Sequence, residues 1–178
     1  MSEEFIEFPK IARLSRQCVV TEKIDGTNAQ IFIGESGEFM AGSRNRWLSY
    51  QDDNFGFWKW AADNKEELLK LGPGRHFGEW WGSGIQRRYG LSEKRFSLFN
   101  TSRWSETRPA CCHVVPLLYA GMFDTAAILA CLDDLAQNGS RAAPGFMDPE
   151  GIIAFHLAGN VGFKKTIKKD DEPKGRQP

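Results

Sequence analysis

The sequence predicts an α+β domain built on antiparallel sheets. Short β-rich segments recur along the chain, two helical patterns interrupt them, and no internal repeat or Pro-, Gly- or Ser-rich linker divides it. Cys18 to Glu22 is short and β-branched. Ala29 to Ile33 alternates in polarity, and Gly34-Glu35-Ser36-Gly37 reads as a hairpin turn into Glu38 to Gly42. Further strands are predicted over 75–81, 95–99, 114–119, 151–156 and 162–167. Apolar residues at helical spacing predict a helix from Phe55 to Leu71, stopped by Gly72-Pro73-Gly74. A second helix is capped by Asp124 or Thr125, runs through Gln137 and ends at Asn138-Gly139. A cleft between two such sheets is a natural ligand site. The expected organisation is one domain over 1–169 with a mobile tail over 170–178, whose composition is charged and rich in Pro and Gly.

The chain has 178 residues, 41% of them hydrophobic and 26% charged, which suits one core. No apolar run approaches the roughly 20 residues that span a bilayer. Met1-Ser2-Glu3-Glu4 is acidic where a signal peptide is basic and then apolar, so a cytoplasmic location is expected. Cys18, Cys111, Cys112 and Cys131 do not form a disulfide framework, and Cys111-Cys112-His113 lacks a second Cys/His pair at zinc spacing. Reduced, structural cysteines are expected, and His76, His113 and His156 are too scattered to read as anything but structural. Trp80 and Trp81 alternate across a predicted strand, which places one face in the core.

Formal net charge is zero, with 23 basic and 23 acidic residues, so no global field marks a polyanion partner. The distribution is uneven. Arg75, Arg87, Arg88, Lys94, Arg95, Arg103 and Arg108 face only Glu79, Glu93 and Glu106 over positions 75–108. Lys164, Lys165, Lys168 and Lys169 follow near the C-terminus. Such patches can hold phosphates within a neutral protein, and the bland alternative is a pair of solvated faces.

The sharpest chemical signal is Glu22-Lys23-Ile24-Asp25-Gly26-Thr27-Asn28. It lies between two predicted strands, so Lys23 stands where a strand end meets a tight turn, and Gly26 allows close backbone approach or positive φ. A lysine fixed by rigid strands among other cations is placed to act as a nucleophile. No Gly-x-x-x-x-Gly-Lys-Ser/Thr loop is present, which excludes a P-loop enzyme.

Lys23-Ile24-Asp25-Gly26 resembles motif I of the covalent nucleotidyltransferases, which comprise DNA ligases, RNA ligases and capping enzymes. The other motifs of that superfamily have counterparts in the same order. Ser43-Arg44-Asn45-Arg46-Trp47 resembles motif Ia, Phe77-Gly78-Glu79-Trp80-Trp81-Gly82 motif III, and Phe96-Ser97-Leu98-Phe99-Asn100 motif IIIa. Glu150-Gly151-Ile152-Ile153 is similar to motif IV and Phe163-Lys164-Lys165-Thr166 to motif V. Asn28 stands where DNA ligases and capping enzymes usually have Arg, and is similar to the residue of nick-sealing phage RNA ligases and RNA-editing ligases.

The resemblance implies an ATP-grasp-like nucleotidyltransferase fold of two antiparallel sheets flanked by helices. It implies that ATP donates AMP to Lys23, with Lys164 meeting the α-phosphate and Glu150 helping to hold Mg²⁺ or Mn²⁺. Glu22, Asn28, Arg44, Glu79, Phe99 and Lys165 would bind the nucleotide, Glu79 at the ribose and Phe99 by stacking on adenine. Position 166 is Thr where the family often has Lys, so the second motif V cation falls to Lys165 or Lys168, and Asn100 replaces a common Asp. The implied partners are RNA or nicked-duplex ends bearing 3′-OH and 5′-phosphate, gripped by Arg87, Arg88, Arg95, Arg103 and the C-terminal lysines of a monomer, or with help from a partner protein. No additional C-terminal domain is expected. The alternatives are a GTP-using capping-type guanylyltransferase, a small DNA ligase, and a non-catalytic nucleotide- or RNA-end-binding module.

Overall fold

The structure, a computed structural model, describes residues 3–104 and 106–168; the tail predicted from Asp170 onward and Lys169 lie outside the described residues. Nine strands and three helices follow in the order β1 (Gln17–Lys23), β2 (Thr27–Ile33), β3 (Phe39–Ser43), α1 (Phe57–Asp63), α2 (Lys65–Leu68), β4 (Gly74–Gly82), β5 (Lys94–Leu98), β6 (Cys112–Val114), β7 (Leu117–Met122), α3 (Thr125–Asn138), β8 (Gly151–His156) and β9 (Val161–Thr166). They form two sheets, one ordered β7-β1-β8-β9 and the other β3-β2-β4-β5-β6. The expected α+β architecture is present, and every pairing is antiparallel except β5 with β6.

Each sheet packs one face on a core of its own, and the alternation of the sequence explains which. In β2, Ala29, Ile31 and Ile33 are buried and join Phe57, Leu68, Trp80, Phe96 and Leu98 in a core closed by α1 and α2. Val20, Ile152 and Ala154 of the other sheet pack against Ile128, Leu132 and Leu135 of α3. Asp124 starts α3 as anticipated, accepting a hydrogen bond from the Ala126 amide at 2.9 Å.

Two predicted elements divide. The helix expected over Phe55–Leu71 breaks at Asn64, which leaves helical geometry (φ −107°, ψ 16°) and donates its side-chain amide to the Trp60 carbonyl. The strand expected over 114–119 divides at Val115-Pro116 and serves both sheets. There the Val115 amide donates to the Leu98 carbonyl, whereas Pro116, which has no amide hydrogen, accepts from the Glu22 amide. The chain crosses between the sheets a second time from β1 to β2, through Ile24-Asp25-Gly26.

A third core cluster of Ile24, Trp81, Tyr89, Val115 and Ala143 seals this junction. Trp80 and Trp81 are therefore both buried, at 2% and 1% exposure, because each face of β4 meets a different core. The four cysteines are free thiols, and among the described residues no helix is long and apolar enough to cross a membrane. His76 and His156 hold the backbone, their Nε2 atoms 2.8 Å from the Gly72 and Leu14 carbonyl oxygens.

Candidate active site

Lys23 ends β1 at the crossover, opposite Gly151 in the β1–β8 register. Its Nζ lies 2.5 Å from Oε2 of Glu150, which is only 3% exposed. Gly151 adopts φ +155°, and a Cβ there would lie 2.1 Å from the Lys165 carbonyl oxygen. Glycine thus lets β9 close against the residue that follows Glu150.

Across the crossover, Asn28 and Glu79 face each other in the β2–β4 register. Glu79 accepts hydrogen bonds from the Gly26 amide at 3.1 Å and from Asn28 Nδ2 at 3.2 Å. Burial pushes the Glu79 carboxyl up to about 7; Lys23 and the Gly26 amide pull it down, while Glu150 and Asp25 add to the rise. Gly26 is glycine for close approach, since a Cβ would sit 2.5 Å from the Trp80 carbonyl oxygen.

Arg87 and Tyr89 fix the same turn from the loop between β4 and β5. Arg87 donates to Asp25 Oδ2 at 3.0 Å and to the Asp148 carbonyl at 2.8 Å. The Tyr89 hydroxyl accepts from the Asp25 amide at 2.8 Å, and burial raises the phenol's pKa. Gln86, Arg88 and Tyr89 all hold positive φ (44°, 60° and 51°), conformations that L-residues adopt only when their surroundings impose them. Sequence reasoning gave Arg87 to polynucleotide and overlooked Tyr89; the signal was the glycine-bounded loop, with Gly82, Gly84 and Gly90 around them.

Several expectations change. Glu22 alternates with Lys23 along β1, so its side chain is turned to the opposite face and buried. It accepts from Ser140 Oγ at 2.5 Å and from the Arg141 and Ala142 amides at 2.7 and 2.9 Å. Its carboxylate pins the loop after α3, and burial raises its pKa against those three donors. Only the Glu22 backbone borders Lys23.

In β9, Lys164 pairs with Ile153, which pairs with Thr21, and so shares the face of Lys23. Lys165 pairs with Ile152 and Glu22 and shares the opposite face. Lys165, expected to bind the nucleotide, is thus on the face away from Lys23 and Lys164, and Thr166 takes the place beside Gly151. Lys168 bonds Asp148 Oδ1 at 2.7 Å. Arg44 stands exposed after β3, and Phe99 is 40% exposed just beyond β5, its amide bonded to the Phe77 carbonyl. Asn100 accepts from the Arg103 amide at 3.0 Å and caps the following turn.

The anticipated basic grip is largely occupied. Arg87 is ion-paired with Asp25 and Asp148, Arg95 with Glu93, and Arg103 donates to the Leu71 carbonyl; Arg88 remains exposed.

Lys23 thus stands at a crossover between the two sheets, with buried Glu150 against it and Lys164 on the same sheet face. The same architecture is found in Naegleria gruberi RNA ligase. A variant of that enzyme solved with ATP and Mn matches with a TM-score of 0.69 and 21% identity, over 87% of this chain and 51% of that one. A second, with AMP and Mn, matches with a TM-score of 0.66 and 23% identity, over 85% and 49%. The present chain spans about half the length of those structures. No curated protein matches it in sequence. The sequence model of the RNA ligase family matches residues 16–169, and the chain belongs to that family.

Proposed function

We propose that this chain is the adenylating domain of an ATP-dependent RNA ligase, with Lys23 as the nucleophile. The observation that carries the proposal is the placement of Lys23 against buried Glu150, with Lys164 on the same sheet face. Lys23 must shed a proton before it attacks, and Glu150 Oε2 lies within hydrogen-bond distance to receive it. A bond then forms from Nζ to the α-phosphorus of ATP, the bond to the pyrophosphate oxygen breaks, and lysyl-AMP results. Lys164 offsets charge on the α-phosphate, while Glu79 and Asn28 offer hydrogen bonds to the ribose and Phe99 a ring for the adenine. AMP then passes to a 5′-phosphate end, and a 3′-hydroxyl displaces it to form the phosphodiester. Catalysis of this kind is mostly positioning and charge neutralisation.

Oxygen donors suit Mg²⁺ or Mn²⁺. Mg²⁺ is usually held by one or two carboxylates and completes its shell with substrate phosphates and water. Glu150 is the carboxylate that would reach it, and the ion would supply charge neutralisation of the triphosphate.

Incubation with α-labelled ATP and, separately, α-labelled GTP, followed by a denaturing gel, tests the reading. Covalent label is expected from ATP alone and is expected to vanish in Lys23→Ala. Label from GTP alone, or label persisting in a folded Lys23→Ala protein, would overturn it.

A further inference from the structure

The face of the β3-β2-β4 sheet that carries Asn28 and Glu79 continues away from the candidate site as a band of aromatic rings and one guanidinium. Register defines it. Asn28 lies opposite Glu79, Gln30 opposite Phe77, and Phe32 opposite Arg75, three successive pairs on one face. Phe77 is 53% exposed and lies beside Phe99, whose amide it binds through its carbonyl. At the far end the Arg75 guanidinium sits 5.0 Å from the Phe32 ring centre and 5.3 Å from that of Trp47, itself 40% exposed. Arg75 also donates to Gln30 Oε1 at 3.2 Å, which sets the orientation of its planar group. Trp47 is held there by the bridge between Gly42 and Trp47, and Gly42 has no side chain to displace the ring.

We infer that this band is a stacking platform for the unpaired bases of a polynucleotide strand leading to Lys23; the inference rests on the ligase reading above. The chemistry selects the occupant. Beyond Glu79, the residues that β2, β3 and β4 place on this face (Gln30, Phe32, Met40, Arg75 and Phe77) include no carboxylate, Glu38 lying past its end over Gly34 in the β2–β3 turn, and Arg75 brings a positive charge that a phosphate would meet. Every base has a π-face, so rings and a guanidinium plane grip a strand without reading its sequence. Same-face positions along a strand repeat at about 6.8 Å, twice the roughly 3.4 Å rise of stacked bases. A duplex cannot open to that spacing while it stays paired, whereas a single strand can. The band reaches the nucleotide-facing pair Asn28 and Glu79, so a strand lying on it ends where adenylated or acceptor ends would react. It also replaces the grip first expected from Arg87, Arg95 and Arg103.

The test measures binding of a fluorescein-labelled single-stranded RNA of about twelve nucleotides by anisotropy, alongside self-adenylation with labelled ATP, for the protein and the variants Trp47→Ala, Trp47→Phe and Arg75→Gln. Trp47→Ala and Arg75→Gln are expected to weaken single-strand binding about 5- to 50-fold with unchanged self-adenylation, and Trp47→Phe to retain most of the affinity. Blunt duplex of the same length should bind more weakly and be insensitive to the variants. Phe77→Ala, at a more exposed position, serves where Trp47→Ala does not fold. Unchanged single-strand affinity in folded variants, or an equal loss for duplex, would overturn the platform. Absence of self-adenylation in the unmodified protein would instead overturn the ligase reading, and the anisotropy would still report on the platform.

Discussion

Arg87 ties Asp25 to the strand-entry segment that carries Glu150: its Nε donates to Asp25 Oδ2 at 3.0 Å while Nη1 reaches the Asp148 and Pro149 carbonyls at 2.8 and 3.4 Å. One planar group thus links the turn after Lys23, at one sheet crossing, to the segment carrying the carboxylate partner of Lys23. Its fork geometry suits this in a way that an ammonium does not.

Arg87→Ala is therefore expected to slow self-adenylation by about 10- to 100-fold through misplacement of Lys23 relative to Glu150. Stability should fall by about 1–3 kcal/mol, because a part-buried Asp25 loses a charged donor. Arg87→Lys should recover little of the rate, since one ammonium cannot serve the carboxylate and the carbonyls together. Labelling rates and denaturant midpoints of the two variants check this; full activity in Arg87→Lys would reassign the residue to simple charge balance.

The pairing with Glu150 gives Lys23 a part in the stability of the fold. Lys23→Ala leaves Glu150, 3% exposed, without its ammonium partner. A loss of about 1–3 kcal/mol is expected, and the double variant Lys23→Ala/Glu150→Gln should regain part of it by removing the charge. Thermal melts of the single and double variants decide between this and a solvated lysine, for which the second substitution would bring no recovery.

How much of this was legible in the sequence depends on whether a feature is local. The β2–β3 hairpin follows from alternation between Ala29 and Ile33 and a turn rich in glycine, both local signals. So does the capped start of α3 at Asp124. The division of 114–119 between two sheets was not legible, because Leu98 and Glu22, the partners of Val115 and Pro116, are distant in sequence. Likewise the motif residues came from order along the chain, but facing did not. Glu22 and Lys165 stand one position from Lys23 and Lys164, and a strand sends neighbouring side chains to opposite faces. The Trp81 burial required a third core that only the sheet crossing creates.

Glu79 should make stability depend on pH. Its folded-state pKa of about 7 lies above the ordinary 4.5, so the folded state holds the proton more tightly than the unfolded one. The contribution is therefore fully present below pH 4.5 and is lost as pH rises through about 7, for a total of about 3 kcal/mol. Relative to Glu79→Gln, the unmodified protein should lose stability progressively between about pH 5 and pH 8. A melting-temperature difference that stays constant across this range, or moves the other way, would refute the assignment.

Gly26 carries the most exacting steric demand at the site. A Cβ there would lie 2.5 Å from the Trp80 carbonyl oxygen, 2.7 Å from Trp81 Cβ and 3.0 Å from Glu79 Cγ. None of these can yield easily. Trp80 and Trp81 are fixed in separate cores at 2% and 1% exposure, and the β4 backbone pairs on both sides with β2 and β5. In Gly26→Ala the turn itself must lift from β4, which lengthens the Gly26 amide bond to Glu79 and shifts Lys23, three residues earlier, from Glu150. Overpacking of this kind costs about 1–3 kcal/mol, and a displacement near 1 Å at a reacting group costs about a hundredfold in rate. Gly26→Ala should thus remain folded at low temperature, with a lowered denaturant midpoint, while covalent AMP labelling falls at least tenfold. Because the lesion lies in placement, saturating ATP should not restore the rate. If the variant labels at the normal rate while folded, the turn has room that these contacts deny, and the positioning of Lys23 by close approach of Gly26 to β4 is wrong.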